Sequence, residues 1–211
     1  MNLTIPERYL APGVIDKNMN KKTIIGITGG LATGKSTIAE IFVGLGAVKI
    51  DADAISHRIL ENDPGIAAEI VSAFGKEVMT CGSIDRRKLA SKVFFDKDGL
   101  KKLCRIMHPA ILHRINEDAA QVPEGVVVID APLLFEAGMT AEVDRIVVVR
   151  CDRDSQIERA MRRGISKKEA EAIIGCQMDL DLKERAADYI IDTEKDHKTV
   201  KKGVETIWKK M

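Results

Sequence analysis

The sequence predicts an α/β fold, a five-stranded, mostly parallel sheet covered by helices on both faces. Three observations predict it. Short apolar runs recur along the chain, and they are continuous rather than alternating, as strands buried on both faces require. Helical patterns separate them, the arrangement of a parallel sheet built from crossover units. A glycine-rich loop joins the first strand to the first helix, where α/β sheets bind their ligands.

The first strand is read over Thr23-Ile24-Ile25-Gly26-Ile27-Thr28, followed by Gly29-Gly30-Leu31-Ala32-Thr33-Gly34-Lys35-Ser36-Thr37. Two glycines, Gly29 and Gly34, stand either side of four residues, with Lys and Ser next, the spacing of a phosphate-binding loop. Each position has a physical task. Glycines let the backbone turn tightly so that successive N–H groups converge on an anion. The helix that follows adds the positive end of its dipole, Lys35 supplies a cation for the outer phosphates, and the Ser36 hydroxyl suits Mg²⁺. Ile38, Ile41, Phe42 and Leu45 recur at helical spacing after the loop, so strand, loop and helix stand in the required order. A glycine-rich turn that binds nothing is the bland alternative, and these flanks argue against it. The fold class is therefore a P-loop NTPase that binds a nucleoside triphosphate.

Ala47-Val48-Lys49-Ile50 is the second strand and leads to Asp51, and Val126-Val127-Val128-Ile129 leads to Asp130. Ile146 to Val149 and Tyr189 to Ile191 complete the sheet, and Val200, Val204, Ile207 and Trp208 mark a closing helix. Residues 54–122 carry helical patterns and no convincing strand. Pro64-Gly65, Cys81-Gly82 and His108-Pro109 punctuate them, and so long a crossover predicts an inserted helical subdomain that recognises an acceptor. The nucleotide-binding core then comprises 23–53 and 123–211. Residues 1–22 lack the apolar stretch of a secretory signal and are expected to be a poorly ordered or surface-packed extension.

Composition narrows the function. Over 211 residues, Lys+Arg of 33 against Asp+Glu of 32 leaves a net charge of +1, which argues against broad nucleic-acid binding. An aromatic fraction of 4% leaves few stacking platforms. No apolar run approaches the ~18 residues of a membrane helix. Cys81, Cys104, Cys151 and Cys176 form no C-x-x-C pair and are read as reduced thiols of a cytoplasmic protein. The expected partner is a small molecule rather than nucleic acid or membrane, with the chain a monomer or weak homo-oligomer.

Three groups of charged residues are candidates for chemistry. Asp51 and Asp53 leave the end of the second strand, and an extended segment would point both to one side. A carboxylate there either orients an acceptor hydroxyl and takes its proton or caps the next helix. Asp130 either meets Mg²⁺ or holds its strand end. Arg159, Arg162 and Arg163 share a helix face ahead of Gly164. They form either a lid near 159–168 whose arginines close on the γ-phosphate, or a solvated face paired with Glu158 and Glu169.

These motifs together resemble those of the dephospho-coenzyme A kinase family, from Ile24 onward. Beside the loop stand Asp51-Ala52-Asp53-Ala54-Ile55-Ser56-His57, Ile84-Asp85-Arg86, His108-Pro109, Pro132-Leu133-Leu134-Phe135-Glu136 and Ala187-Asp188-Tyr189-Ile190-Ile191-Asp192. The loop alone is widely shared, whereas the combination is specific. The resemblance implies transfer of the ATP γ-phosphate to the ribose 3′-hydroxyl of dephospho-coenzyme A, with Asp53 as base. It also implies ATP and Mg²⁺, Arg159 and Arg163 as lid cations that take part in catalysis, and Arg86, His108 and Pro109 on the acceptor side; Lys35 at the phosphates, Ser36 at the metal and the open choice for Asp130 stay as read above. Three features depart from the family pattern: Arg163 runs straight into Gly164, Thr193 stands where Asn is usual, and the leading segment is long. Another kinase of the adenylate-kinase-like group would share the loop and lid without Asp-Ala-Asp and His-Pro. A GTP-driven switch needs an Asn-Lys-x-Asp guanine reader, which the sequence lacks; Asp96-Lys97-Asp98-Gly99 is read as a polar turn between helices.

Overall fold

A computed structural model describes residues 22–93 and 96–211. The predicted extension lies outside the described residues except for Lys22, which opens the first strand. Five strands form one sheet: β1 (Lys22–Gly29), β2 (Val48–Asp51), β5 (Gly125–Asp130), β6 (Arg145–Arg150) and β7 (Tyr189–Asp192). Their order is β2-β5-β1-β6-β7, and every pairing is parallel. Two aspartates extend the ladders at the entering edge. Asp144 accepts from the Ile24 N–H at 2.8 Å, and Asp188 accepts from the Ile146 N–H at 2.7 Å.

The apolar runs divide their side chains between two cores. Ile25 and Ile27 of β1 face helices α1 (Lys35–Gly44) and α9 (His197–Trp208), with Phe42, Val204 and Ile207 across from them. Ile24 faces the other way, toward α2 (Ala52–Asn62) and the end of α5 (Lys97–Ala120), meeting Ile55, Ile115 and Leu134. Gly26 lies on that second face because a Cβ there would fall 2.9 Å from Leu134 Cδ2.

Between β2 and β5 the chain forms α2, α3 (Pro64–Phe74), α4 (Arg86–Val93) and the long α5. Ile66, Ile70, Val78, Leu89, Ile106 and Met107 give this segment a cluster of its own. Helix α5 contributes to both clusters, its first half here and Ile115 and Ala119 to the sheet.

Three local expectations are corrected. The segment does contain strands, a two-residue hairpin of β3 (Met79–Thr80) and β4 (Ser83–Ile84), turned by Cys81 and Gly82 at positive φ. It is too short to give a periodic signal. His108-Pro109 ends no helix, since α5 runs through it for 24 residues; the missing Pro109 N–H costs a single backbone bond, which tertiary packing outweighs. Asp96-Lys97-Asp98-Gly99, expected as a polar turn between helices, is instead the N-cap and first turn of α5, with Asp96 accepting from the Asp98 N–H at 2.9 Å.

The contact of Gly26 with Leu134 yields a coupled test. Leu134→Ala is expected to lower unfolding free energy by about 2–5 kcal/mol, and Gly26→Ala by about 1–3 kcal/mol through overpacking. In the double variant the Gly26→Ala cost should shrink, because the opposing methyls are gone. Urea denaturation measures all three, and strictly additive losses would contradict the packing described.

Candidate active site

The phosphate loop is shaped by contacts that only small residues permit. A Cβ on Gly29 would stand 2.3 Å from the Val149 carbonyl oxygen, and one on Gly30 would stand 2.6 Å from Gln156 Oε1. Gly34 takes φ 97° as the N-cap of α1 and supplies no side chain to the first turn. The amides of Lys35, Ser36 and Thr37 are thus left for a ligand, and the helix dipole favours an anion there. Ala32 is held at φ 54°, a left-handed conformation kept only where surroundings enforce it. The buried cluster of Ala32 with Ile157, Ala160 and Ala170 supplies that enforcement. Inside the loop, Thr33 Oγ1 and Lys35 Nζ both donate to the Gly30 carbonyl, at 3.1 Å and 3.2 Å.

Sheet register brings the carboxylates to this loop. Asp130 is the partner of Ile27 on β1 and of Asp51 on β2, so β5 and β2 end together, two residues before β1 gives way to the loop. Asp51 and Asp53 do not share an extended segment, because helix α2 begins at Ala52. Asp51 is its N-cap, accepting from the Ala54 N–H at 2.9 Å, and Asp53 stands in the first turn. The two alternatives open for this pair thereby separate: the first carboxylate caps, and the second accepts no hydrogen bond among the described residues. Asp130 is buried and its carboxylate has no hydrogen-bond partner among the described residues.

These charges perturb one another. Burial pushes the Lys35 ammonium below the usual lysine range, opposed by Asp130 and Asp53, while Lys183 and Arg163 push it lower still. Desolvation raises the Asp53 carboxyl above its ordinary value, with Lys35 the main opposing influence and Asp51 reinforcing the rise. His57 and Arg86 pull it back, which places Arg86 within electrostatic reach of Asp53. Asp130 is raised for the same reason, against the pull of Lys35.

Asp53 also lines a cavity of about 120 Å³ with Ser56, Cys104, Met107, His108 and Leu133 among its walls. His108 Nε2 is buried without a hydrogen-bond partner among the described residues, and burial lowers the pKa of its ring. Pro109 is on α5 beside it but does not line the cavity. The site therefore has two compartments, an anion cradle at the loop and a largely apolar cavity beyond, with Asp53 between them.

The arginines separate. Arg159, on α6 (Arg153–Arg162), donates to Thr193 Oγ1 at 2.9 Å and the Thr193 carbonyl at 3.1 Å, and pairs with Glu194. Arg162 pairs with Glu158, the solvated arrangement. Arg163, exposed at the end of α6, acts on Lys35 through its charge. Thr193 ties the site together: Oγ1 lies 2.8 Å from the Thr33 carbonyl and 3.0 Å from that of Arg150.

Sequence reading missed a second network. Lys183, on α8 (Leu180–Arg185), is fully buried and pairs with Glu136 at 2.8 Å while donating to the Pro132 carbonyl at 3.1 Å. Thr28 Oγ1 donates to the same carbonyl at 3.2 Å, which joins the network to the end of β1. Glu136 also accepts from the Met178 N–H at 2.8 Å, and the adjacent Gln177 accepts from the Leu31 N–H at 3.0 Å. Only the motif containing Glu136 hinted at this; Lys183 lies among polar residues that read as surface.

As to metal, the donor set is one of hard oxygens, the buried Asp130 carboxylate and the Ser36 hydroxyl at the α1 N-terminus. Such a set fits Mg²⁺, which takes one or two protein oxygens and completes its shell with phosphates and water. Among the described residues no group of three or more His, Cys, Asp or Glu would hold a metal without that help.

An uncapped helix behind a glycine loop, with a lysine facing carboxylates across parallel strand ends, defines a P-loop kinase. The family model for dephospho-CoA kinase matches residues 23–199. A dephospho-CoA kinase from Bacillus anthracis is 39% identical over 192 residues, 89% of this chain and 96% of the relative. Among solved structures, a Thermus thermophilus protein superposes with a TM-score of 0.78 at 28% identity, covering 90% of this chain and 98% of that one. Dephospho-CoA kinase from Campylobacter jejuni gives a TM-score of 0.60 at 27% identity, covering 90% and 96%. The chain belongs to the dephospho-CoA kinase family.

The buried pair gives a stability test. Lys183→Met leaves the Glu136 carboxylate buried without its cation and is expected to cost about 3–5 kcal/mol. Adding Glu136→Gln should recover much of that loss. Chemical denaturation measures both, and a loss below ~1 kcal/mol for the single variant would refute a buried, charged pair.

Proposed function

We propose that this protein transfers the γ-phosphoryl group of ATP to the ribose 3′-hydroxyl of dephospho-CoA, yielding CoA and ADP. Family membership supports the reaction. The observation that carries the assignment of roles is Asp53, uncapped and raised in pKa, between the phosphate loop and the cavity.

In this reading the loop of residues 29–37 holds the triphosphate, through free amides such as those of Lys35, Ser36 and Thr37, and Lys35 draws charge from the transferring group. Asp53 accepts the hydrogen bond of the 3′-hydroxyl and takes its proton as the new P–O bond forms. The β–γ bridging bond breaks, the charge leaves with ADP, and the proton passes from Asp53 to solvent. Arg163 approaches the terminal phosphate from the 159–168 lid, while Arg159 holds the lid helix to Thr193. Arg86 and His108 contribute to acceptor binding, and the 54–122 insertion forms that side of the site. Ser36 and Asp130 would hold Mg²⁺, which supplies charge neutralisation at the β- and γ-phosphates. A cytoplasmic location, a monomeric or weakly self-associating chain and a small-molecule partner complete the reading. Among the described residues no helix is long and apolar enough to cross a membrane.

Asp53→Asn is expected to lower kcat at least ~100-fold while leaving ATP affinity by calorimetry within a few fold. The pH profile supplies a second readout. A base works only when deprotonated, so kcat/KM should fall as pH drops through the Asp53 pKa. Because that pKa is raised, the fall should begin above the range of an ordinary aspartate. The residual activity of Asp53→Asn should lack this acid limb. Near wild-type turnover in the variant, or an unchanged limb, removes Asp53 from the role.

A further inference from the structure

The network that holds Gln177 has no part in the mechanism above. Gln177 follows α7 (Lys167–Cys176), and its Oε1 accepts the Leu31 N–H of the phosphate loop at 3.0 Å, across 146 residues of sequence. That bond fixes the orientation of the side chain. A backbone N–H can only donate, so the carbonyl end of the amide must face it, and the NH₂ end must point elsewhere. Amide dimensions then keep Nε2 within roughly 5 Å of the Leu31 nitrogen. Its two N–H donors have no partner among the described residues, and the residue is only half-buried.

The backbone around Gln177 is pinned from both sides. Its own N–H donates to the Ile173 carbonyl at 3.2 Å. The next N–H, of Met178, donates to Glu136, which the buried Lys183 holds in place. Two free donors on an anchored side chain, beside a loop whose amides await an anion, form a preorganised anion contact.

We propose that Gln177 is a further catalytic residue, whose amide N–H groups donate hydrogen bonds to the peripheral oxygens of the phosphoryl group in flight. This rests on the phosphotransfer reading. No proton changes hands at Gln177. The phosphorus leaves the β–γ bridging oxygen for the acceptor oxygen, and the side chain stabilises charge on the oxygens that travel with it. Gln177 thus has two ends with two tasks, holding the loop through Oε1 and the phosphoryl group through Nε2.

Two substitutions separate those tasks. Gln177→Glu keeps an acceptor for the Leu31 N–H but removes both donors and adds a negative charge. Gln177→Ala removes both ends. If the donors act in transfer, kcat with ATP and dephospho-CoA should fall in both variants, about 100-fold in the first and less in the second, with KM for ATP changed only a few fold in Gln177→Ala. Calorimetry of Gln177→Ala should show ADP binding unchanged and ADP with tetrafluoroaluminate weakened in step with kcat. If Gln177 merely holds the loop, the order reverses, with Gln177→Glu near wild type and Gln177→Ala impaired in ADP binding and melting temperature. That order, or wild-type kcat in both variants, overturns the proposal. The unaltered protein is assayed alongside; failure of that control would strike the phosphotransfer reading itself, whereas a reversed order leaves it standing.

Discussion

A lysine ammonium facing carboxylates at the ends of adjacent parallel strands is the constraint from which the rest of the site follows. Strand register supplies it: Asp130 stands beside Ile27 on one side and Asp51 on the other, so β5 and β2 finish at one level while β1 runs two residues further, to Gly29. The loop leaving β1 then has to deliver Lys35 above those ends. Desolvation raises Asp53 and Asp130 and lowers Lys35, and each sign opposes charge separation. The groups remain useful because their mutual attraction opposes that penalty without cancelling it. A triphosphate entering the cradle meets an uncapped helix end and a cation already desolvated, so little reorganisation remains to be done at the moment of transfer.

Much of this architecture was legible in the sequence because local patterns encode it. The five strands lie where continuous apolar runs placed them, with no end shifted by more than one residue. The loop was legible because its glycines answer to close approaches, 2.3 Å from a carbonyl at Gly29, that no other residue tolerates. What escaped reading is non-local or too short. The β3–β4 hairpin spans two residues a side, below any periodic signal. Pro109 punctuates a sequence but not a helix whose apolar face is held by two cores. The Asp51 and Asp53 pair was read as extended, whereas the cap itself turns the chain into a helix between them.

The second network shows the limit more sharply. Lys183 reads as one more charge in a polar stretch, yet it is fully enclosed because Glu136 arrives from a loop 47 residues earlier. Gln177 and Leu31 meet across 146 residues. Long-range pairs of this kind leave no trace in spacing or hydropathy. They join the segment after α7 to the wall of the cavity that Asp53 lines, since Pro132 and Leu133 line that cavity and Pro132 accepts from Lys183. The role of Thr193 is likewise understandable only in three dimensions. Its hydroxyl reaches the Thr33 and Arg150 carbonyls and receives Arg159, binding loop, sheet and α6 at one point.

The central claim is one of geometry, that the loop and Asp53 hold donor and acceptor on a single line. A crystal structure of the protein with ADP, tetrafluoroaluminate and dephospho-CoA tests it most directly. The account predicts an Asp53 oxygen within about 2.6–3.2 Å of the acceptor 3′-oxygen, with the aluminium between that oxygen and the ADP terminus. An Asp53 carboxylate turned away from the 3′-oxygen, or an acceptor seated outside the cavity beneath α5, would contradict it.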